Sequence, residues 1–182
     1  MATEKSEVDL LAEIATLIPN NSSRQVSPLD MRTVLENQVV QGAMGAIYFS
    51  DPGNPISKDL VSTPGIITGF TNSTPYGHDA IVPDHTTDQI QVNVDGSYLV
   101  GLNITFTGPQ NTQFTFFATL DGVVIPVASG SATPASTNDA VSATMTVPAG
   151  IPAGGRIELW GATANSDEIL IQAMSLWAYR GR

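Results

Sequence analysis

The sequence predicts a mainly β protein, an antiparallel jelly-roll β-sandwich preceded by a short N-terminal helical pair. Three observations carry this reading. Residues 88–182 alternate apolar and polar positions in one short run after another. Turn signals return at intervals of roughly 8–12 residues, the mark of a sandwich or barrel. Ahead of that zone, residues 4–41 switch to helical spacing.

The first helix is read from Val8, Leu11, Ile14 and Leu17 or Ile18, with Glu4, Glu7 and Glu13 on the opposite face. Pro19-Asn20-Asn21-Ser22-Ser23 breaks it. The second helix starts at Ser27 as N-cap, with Pro28 at its first position and Asp30 near the positive dipole end. Its stripe is Met31, Val34, Leu35 and Val39, and Gly42 ends it. Helices this short are marginal alone, so they are expected to pack on a partner. Residues 1–42 are therefore read as a helical adaptor, with Leu11, Ile14, Leu17, Met31, Val34 and Leu35 as its attachment residues.

The sandwich is placed at residues 43–182, with 43–87 as a loop-rich lead-in. Ala46-Ile47-Tyr48-Phe49 reads as a strand, Asp51 to Pro55 as a turn, and Pro64 to Phe70 as a second short strand. The rest of the lead-in reads as surface loops. Ile90, Val92 and Val94 point one way, and Asp95-Gly96 reads as a turn. Tyr98, Val100, Leu102, Ile104 and Phe106 follow at period two, and Gly108 to Asn111 turns the chain. Phe114, Phe116, Ala118 and Leu120 alternate next, closed by Asp121-Gly122. Val123 to Val127 is expected at an edge, because Pro126 cannot donate to a ladder. Residues 129–139 read as a low-complexity loop. Val141, Ala143, Met145 and Val147 then alternate, followed by a strand containing Ile157 and Leu159.

The last strand, residues 169–179, is apolar at both parities. A sheet wetted on one side shows one apolar face only. The simplest cause is a subunit interface along this strand, at Ile169, Ile171, Met174, Leu176, Trp177 and Tyr179, in a symmetric oligomer; the alternative is coverage by the N-terminal segment or by an intrachain loop.

Composition limits the function classes. Charged residues make up 13% of the chain and apolar residues 42%, against roughly 25% charged in a typical globular domain. The net charge is −10, and no basic residue occurs between Lys58 and Arg156. That gap removes the electrostatic term on which nucleic-acid binding depends. It equally disfavours an anionic membrane, and no segment has the roughly 20 apolar residues of a span. Neither nucleic acid nor membrane insertion is expected. The absence of cysteine excludes a disulfide framework and a cysteine zinc site. The acidic start Met1 to Leu11 lacks the apolar run of a signal peptide. Export is expected to follow cell lysis or to use machinery outside this sequence.

Catalytic and metal signals are weak. His78 and His85 stand beside Asp79 and Asp84, with Asp88 close by. A His–carboxylate pair can orient a base or hold a metal. This spacing fits no standard motif, and a turn-forming loop is the expectation. Asp167 and Glu168 are adjacent, so on a strand they face opposite ways rather than into one cleft. No nucleophile elbow, P-loop, zincin or calcium-loop pattern is present. Neither an enzyme nor a cofactor is expected. Tyr76 is the exposed aromatic best placed for sugar stacking.

Two resemblances add to this reading. Asp95-Gly96-Ser97-Tyr98-Leu99-Val100, Asn103 to Gly108, Phe114-Thr115-Phe116, Val147-Pro148-Ala149-Gly150 and the closing Leu176-Trp177-Ala178-Tyr179-Arg180 resemble the tumour-necrosis-factor and complement-head jelly rolls. The resemblance spans residues 88–182 and implies a homotrimer packed around a threefold axis. Ala12 to Asn21 and Val26 to Arg32 are similar to segments that open bacteriophage structural proteins. That similarity implies a virion protein: a trimeric capsid decoration protein or head fibre. Its helices would attach to other virion proteins, such as capsid or tail subunits. The alternative is a tail-fibre tip that recognises a host cell-surface glycan.

Overall fold

A computed structural model describes residues 42–76 and 80–181. The helical pair and its attachment residues Leu11, Ile14, Leu17, Met31, Val34 and Leu35 lie outside the described residues, as do His78 and Asp79. Ala43–Gly181 forms one compact unit.

Twelve strands make up this unit. The lead-in contributes β1 (Ala43–Ser50), β2 (Ile56–Leu60), β3 (Gly65–Ile66), β4 (Asn72–Tyr76) and β5 (Ile81–Asp84). The alternating zone contributes β6 (Gln89–Val92), β7 (Gly96–Thr107), β8 (Phe114–Leu120), β9 (Val123–Ala132), β10 (Val141–Ile151), β11 (Arg156–Thr163) and β12 (Asp167–Arg180). They form two six-stranded sheets. The first runs β10-β7-β12-β1-β4, with β2 pairing the early part of β12. The second runs β5-β6-β11-β8-β9, with β3 on β11. Every pairing is antiparallel. β5-β6 and β8-β9 are hairpin neighbours, and the other neighbours come from distant parts of the chain, as in a jelly roll.

Alternation explains the core. The parity carrying Tyr98, Val100, Leu102, Ile104 and Phe106 is buried, as are Phe114, Phe116 and Ala118 on β8 and Ala143, Met145 and Val147 on β10. Phe106 meets Phe114 edge-on at 5.3 Å and Phe116 at 5.2 Å. Such contacts add about 0.5–1.5 kcal/mol each beyond the area they bury.

The lead-in departs from expectation. β2, β4 and β5 stand where surface loops are predicted. Their sequences, Ile-Ser-Lys-Asp-Leu, Asn-Ser-Thr-Pro-Tyr and Ile-Val-Pro-Asp, dilute strand formers with Ser, Lys, Asp, Asn and Pro. Pairing with β12, β1 and β6 holds them extended, a tertiary effect that overrides local preference. β9 is also longer than predicted. Ser129–Ala132, expected in a loop, pairs with Phe114–Phe117. Gly96 already opens β7 rather than completing a hairpin turn, and the Asp95 side chain accepts the Ala153 amide.

The turn after β8 follows the sequence. Asp121 and Gly122 both have positive φ, 50° and 77°, the backbone of a type I′ hairpin and the reason for an Asp-Gly pair there.

A candidate self-association face

The last strand contains the main correction. Ile171 of β12 pairs Phe106 of β7, while Ala173 pairs Thr105, which leaves Gln172 without a β7 partner. One extra residue in one strand is a β-bulge, and it exchanges the faces to which successive side chains point. Before the bulge Ile169 and Ile171 point inward. After it Met174, Leu176 and Ala178 do so, and all five are buried in the subunit core. Four of the six predicted interface residues, Ile169, Ile171, Met174 and Leu176, are therefore core residues of one chain. The two apparent apolar faces are largely one inner face read across a bulge. Trp177 and Tyr179 do point outward.

The outer face of the first sheet can be read row by row from the register across β1, β12, β7 and β10. Met44, Tyr179, Leu99 and Pro148 form the first row, and Ala46, Trp177, Gly101 and Thr146 the second. Tyr48, Ser175, Asn103 and Thr144 form the third, and Ser50, Ala173, Thr105 and Ser142 the fourth. No charged residue stands in any of these rows, although the chain as a whole carries −10. Charge begins again beyond the fourth row, where Glu168 is registered opposite Asp59 and accepts the Ser57 hydroxyl.

The face is graded along its strands. Its first two rows are apolar save for Thr146 at their edge: Met44 is 40% exposed, Leu99 41% and Tyr179 39%. Trp177 lies flat over the opposite backbone, because a Cβ at Gly101 would sit 2.1 Å from its ring. Glycine here lets the indole lie down on the sheet. The third and fourth rows are polar. There Tyr48, Ser50, Asn103, Thr105, Ala173 and Ser175 line a dent of about 210 Å³. Depletion of charge around half-exposed aromatics is the composition of an interface core. Sequence reasoning missed Met44, Tyr48 and Leu99. For Leu99 the signal was present: it is the large apolar residue at the outward parity of β7.

A second apolar patch lies on β9. Phe117 pairs Ser129 and Thr119 pairs Val124, so residues 125–128 stand opposite Ala118 alone, an arch with Pro126 and Val127 outside while Ile125 and Ala128 stay in the core. Val127 at the arch has φ 57° and is 84% exposed. Beside the arch runs an apolar groove of about 440 Å³, lined by Leu120, Val123, Val124, Pro126, Pro148 and Ala149.

Asp84, Asp88 and Asp121 are each engaged by nearby hydroxyls or amides. Asp84 accepts the Thr86 hydroxyl at 2.6 Å, the Thr86 amide at 2.9 Å and the Thr87 hydroxyl at 2.9 Å. The Thr86 hydroxyl and amide, then Thr87, hold its carboxyl below the ordinary Asp value. Asp88 accepts the amides of Gly69 and Phe70, both at 2.9 Å. His85 Nδ1 lies 3.1 Å from the Ser73 hydroxyl. Among the described residues no three His, Cys, Asp or Glu side chains converge as metal ligands. Asp121 accepts the Arg156 amide, which ties its turn to the start of β11. The side chain of Tyr76 lies outside the described residues.

Fold and face together define a class: a charge-poor jelly-roll domain whose first sheet has an uncharged outer face, apolar at one end. The chain matches no family profile and no curated protein. Solved structures are similar in fold. Murine APRIL superposes with a TM-score of 0.50 at 13% identity, covering 75% of this chain and 98% of that one. The globular domain of zebrafish complement 1qA gives 0.49 at 8% identity, covering 76% and 95%. The Eiger TNF of S. frugiperda gives 0.48 at 14% identity, covering 75% and 93%. The similarity to murine APRIL supports the jelly-roll fold. At such identity it speaks to fold alone.

Proposed function

We propose that this protein is a structural component of a bacteriophage virion, a homotrimeric capsid decoration protein or head fibre. The observation that carries self-association is the uncharged outer face of the first sheet, apolar at the Met44, Leu99, Trp177 and Tyr179 end. Burying such a face returns roughly 25 cal/mol per Å² of apolar surface. Its lack of charge lets acidic copies meet without desolvating a carboxylate. Threefold symmetry is supported by the resemblance of residues 88–182 to tumour-necrosis-factor and complement heads. The virion setting is supported by the likeness of residues 12–32 to openings of phage structural proteins. In this reading residues 1–42 attach to capsid or other virion subunits, and the β domain faces outward. The engagement of Asp84, Asp88 and Asp121 in turns favours a non-enzymatic role.

Light scattering on the full chain is expected to give three times the 19.1 kDa subunit mass. Leu99→Asp and Tyr179→Asp each place a carboxylate in the apolar end. Both variants are expected to be monomers with a native circular-dichroism spectrum, since neither side chain enters the core. A wild-type monomer at micromolar concentration would sink the self-association reading. Immunogold labelling of virions tests placement: label on heads supports decoration, and label at tail tips favours the alternative role in host glycan recognition.

A further inference from the structure

We infer that the surface covering the uncharged sheet face is the β9 arch of a second copy of this chain, so that subunits meet arch on face. The inference rests on the trimer proposed above and names the two surfaces that touch in it.

Symmetry sets the requirement. In a twofold dimer a patch meets its own copy, whereas each contact in a ring of three joins two different patches. The outer face of the first sheet is one patch, so a ring needs a second of like chemistry. Outside the four rows of that face, β9 is the one strand among the described residues that exposes more than one large apolar side chain. Val123 is 71% exposed, and Val124 and Val127 are exposed with it. None of the residues lining the groove beside the arch is charged, so arch and face can be buried together without desolvating a charge.

The two patches adjoin. Pro148 stands in the first row of the face, registered opposite Leu99, and it also lines the groove. β10 is an edge strand of the first sheet and β9 an edge strand of the second. They cross so closely that a Cβ at Gly130 would sit 2.8 Å from the Thr144 carbonyl oxygen. The uncharged surface therefore runs from Tyr179 and Leu99 over Pro148 and around this edge to the arch. Patches that meet around an edge set the next copy at an angle, and such a series closes into a ring. Patches on opposite sides of a subunit build a filament instead.

Val127 is the residue that calls for a partner. A β-branched side chain at φ 57° is strained, and strain of this kind clusters at functional sites. Ile125 and Ala128 are buried and pin the two ends of the arch to the core. Pro126 and Val127 are thereby held outward as a fixed knob, which loses little conformational freedom on docking. Met44, Leu99, Trp177 and Tyr179 of the next copy form the apolar surface on which the knob lands.

The chain has no cysteine, so introduced ones report contacts directly. Full-length Leu99→Cys/Val127→Cys is treated with a short bismaleimide and run on a denaturing gel beside each single variant. With one cysteine per chain the reagent joins two chains at most. The double variant is expected to reach a covalent trimer, while Val127→Cys alone stays monomeric on the gel. Val127→Asp is expected to weaken association at least tenfold in sedimentation, and Val127→Asn several-fold, both with a native circular-dichroism spectrum. A wild-type trimer whose double variant yields no covalent trimer, or Val127→Asp trimers as tight as wild type, overturns the inference and leaves self-association standing. Cross-links between two Val127→Cys chains also overturn it, because they mark an arch-to-arch contact. A monomeric wild-type chain refutes the trimer itself, and this inference with it.

Discussion

Val127 shows most plainly what a single residue carries. A β-branched side chain at φ 57° is a steric outlier, and strain of this kind costs of order 1–3 kcal/mol. Its side chain is 84% exposed and returns little of that by burial. Asn tolerates the left-handed region because its short polar side chain bonds locally. Val127→Asn is therefore expected to stabilise the domain by about 1 kcal/mol, or about 2–4 °C in Tm for a domain of this size. Thermal melts followed by circular dichroism would show it. Asp84 gives a second residue-scale prediction. Its carboxyl is held below the ordinary Asp value by the Thr86 hydroxyl and amide, then by Thr87, in a turn that the folded chain fixes. The stabilisation is thus present above the unfolded pKa and is lost as pH falls through the lower, folded one. NMR titration should place the Asp84 midpoint below that of an unperturbed Asp, and Thr86→Val should move it back up. The strain at Val127 is not visible in the sequence, because it is a backbone angle, whereas the Asp84–Thr86 bond is one of the local turns expected of that loop.

Element by element, the sequence was most legible where alternation is strong. β7, β8, β10 and β11 place their core residues as the pattern requires, because long amphipathic strands leave little choice of register. It was least legible where a strand borrows its order from a neighbour, as β2, β4 and β5 do. The association face was half legible. Trp177 and Tyr179 were found from β12 alone, but Met44 and Leu99 join them only through the pairing of β1 and β7 with that strand. The seat of Trp177 can be probed directly. Gly101→Ala sets a methyl carbon inside the indole's space, so the ring has to lift from the sheet. The expected result is a red-shifted Trp177 emission in a Trp160→Phe background, with a loss of about 1–2 kcal/mol from overpacking.

The chain carries a net charge of −10 and the outer face of its first sheet carries none, and this sets how copies meet. Long-range repulsion between subunits is screened over about 10 Å at 0.1 M salt, while apolar contact is strengthened by excluded salts such as sulfate. Association is therefore expected to tighten as ionic strength rises, the reverse of a complex held by opposite charges. Sedimentation at low and high salt would read this, and weakening by salt would point to a charged interface elsewhere. The bulge at Gln172 has a further consequence, for how such chains are compared. It acts as a phase shift of one residue within a 14-residue strand, so a period-two signal summed over β12 interferes with itself and fades. Two chains with the same fold but the bulge at different positions would keep their inward residues in space while losing them in alignment.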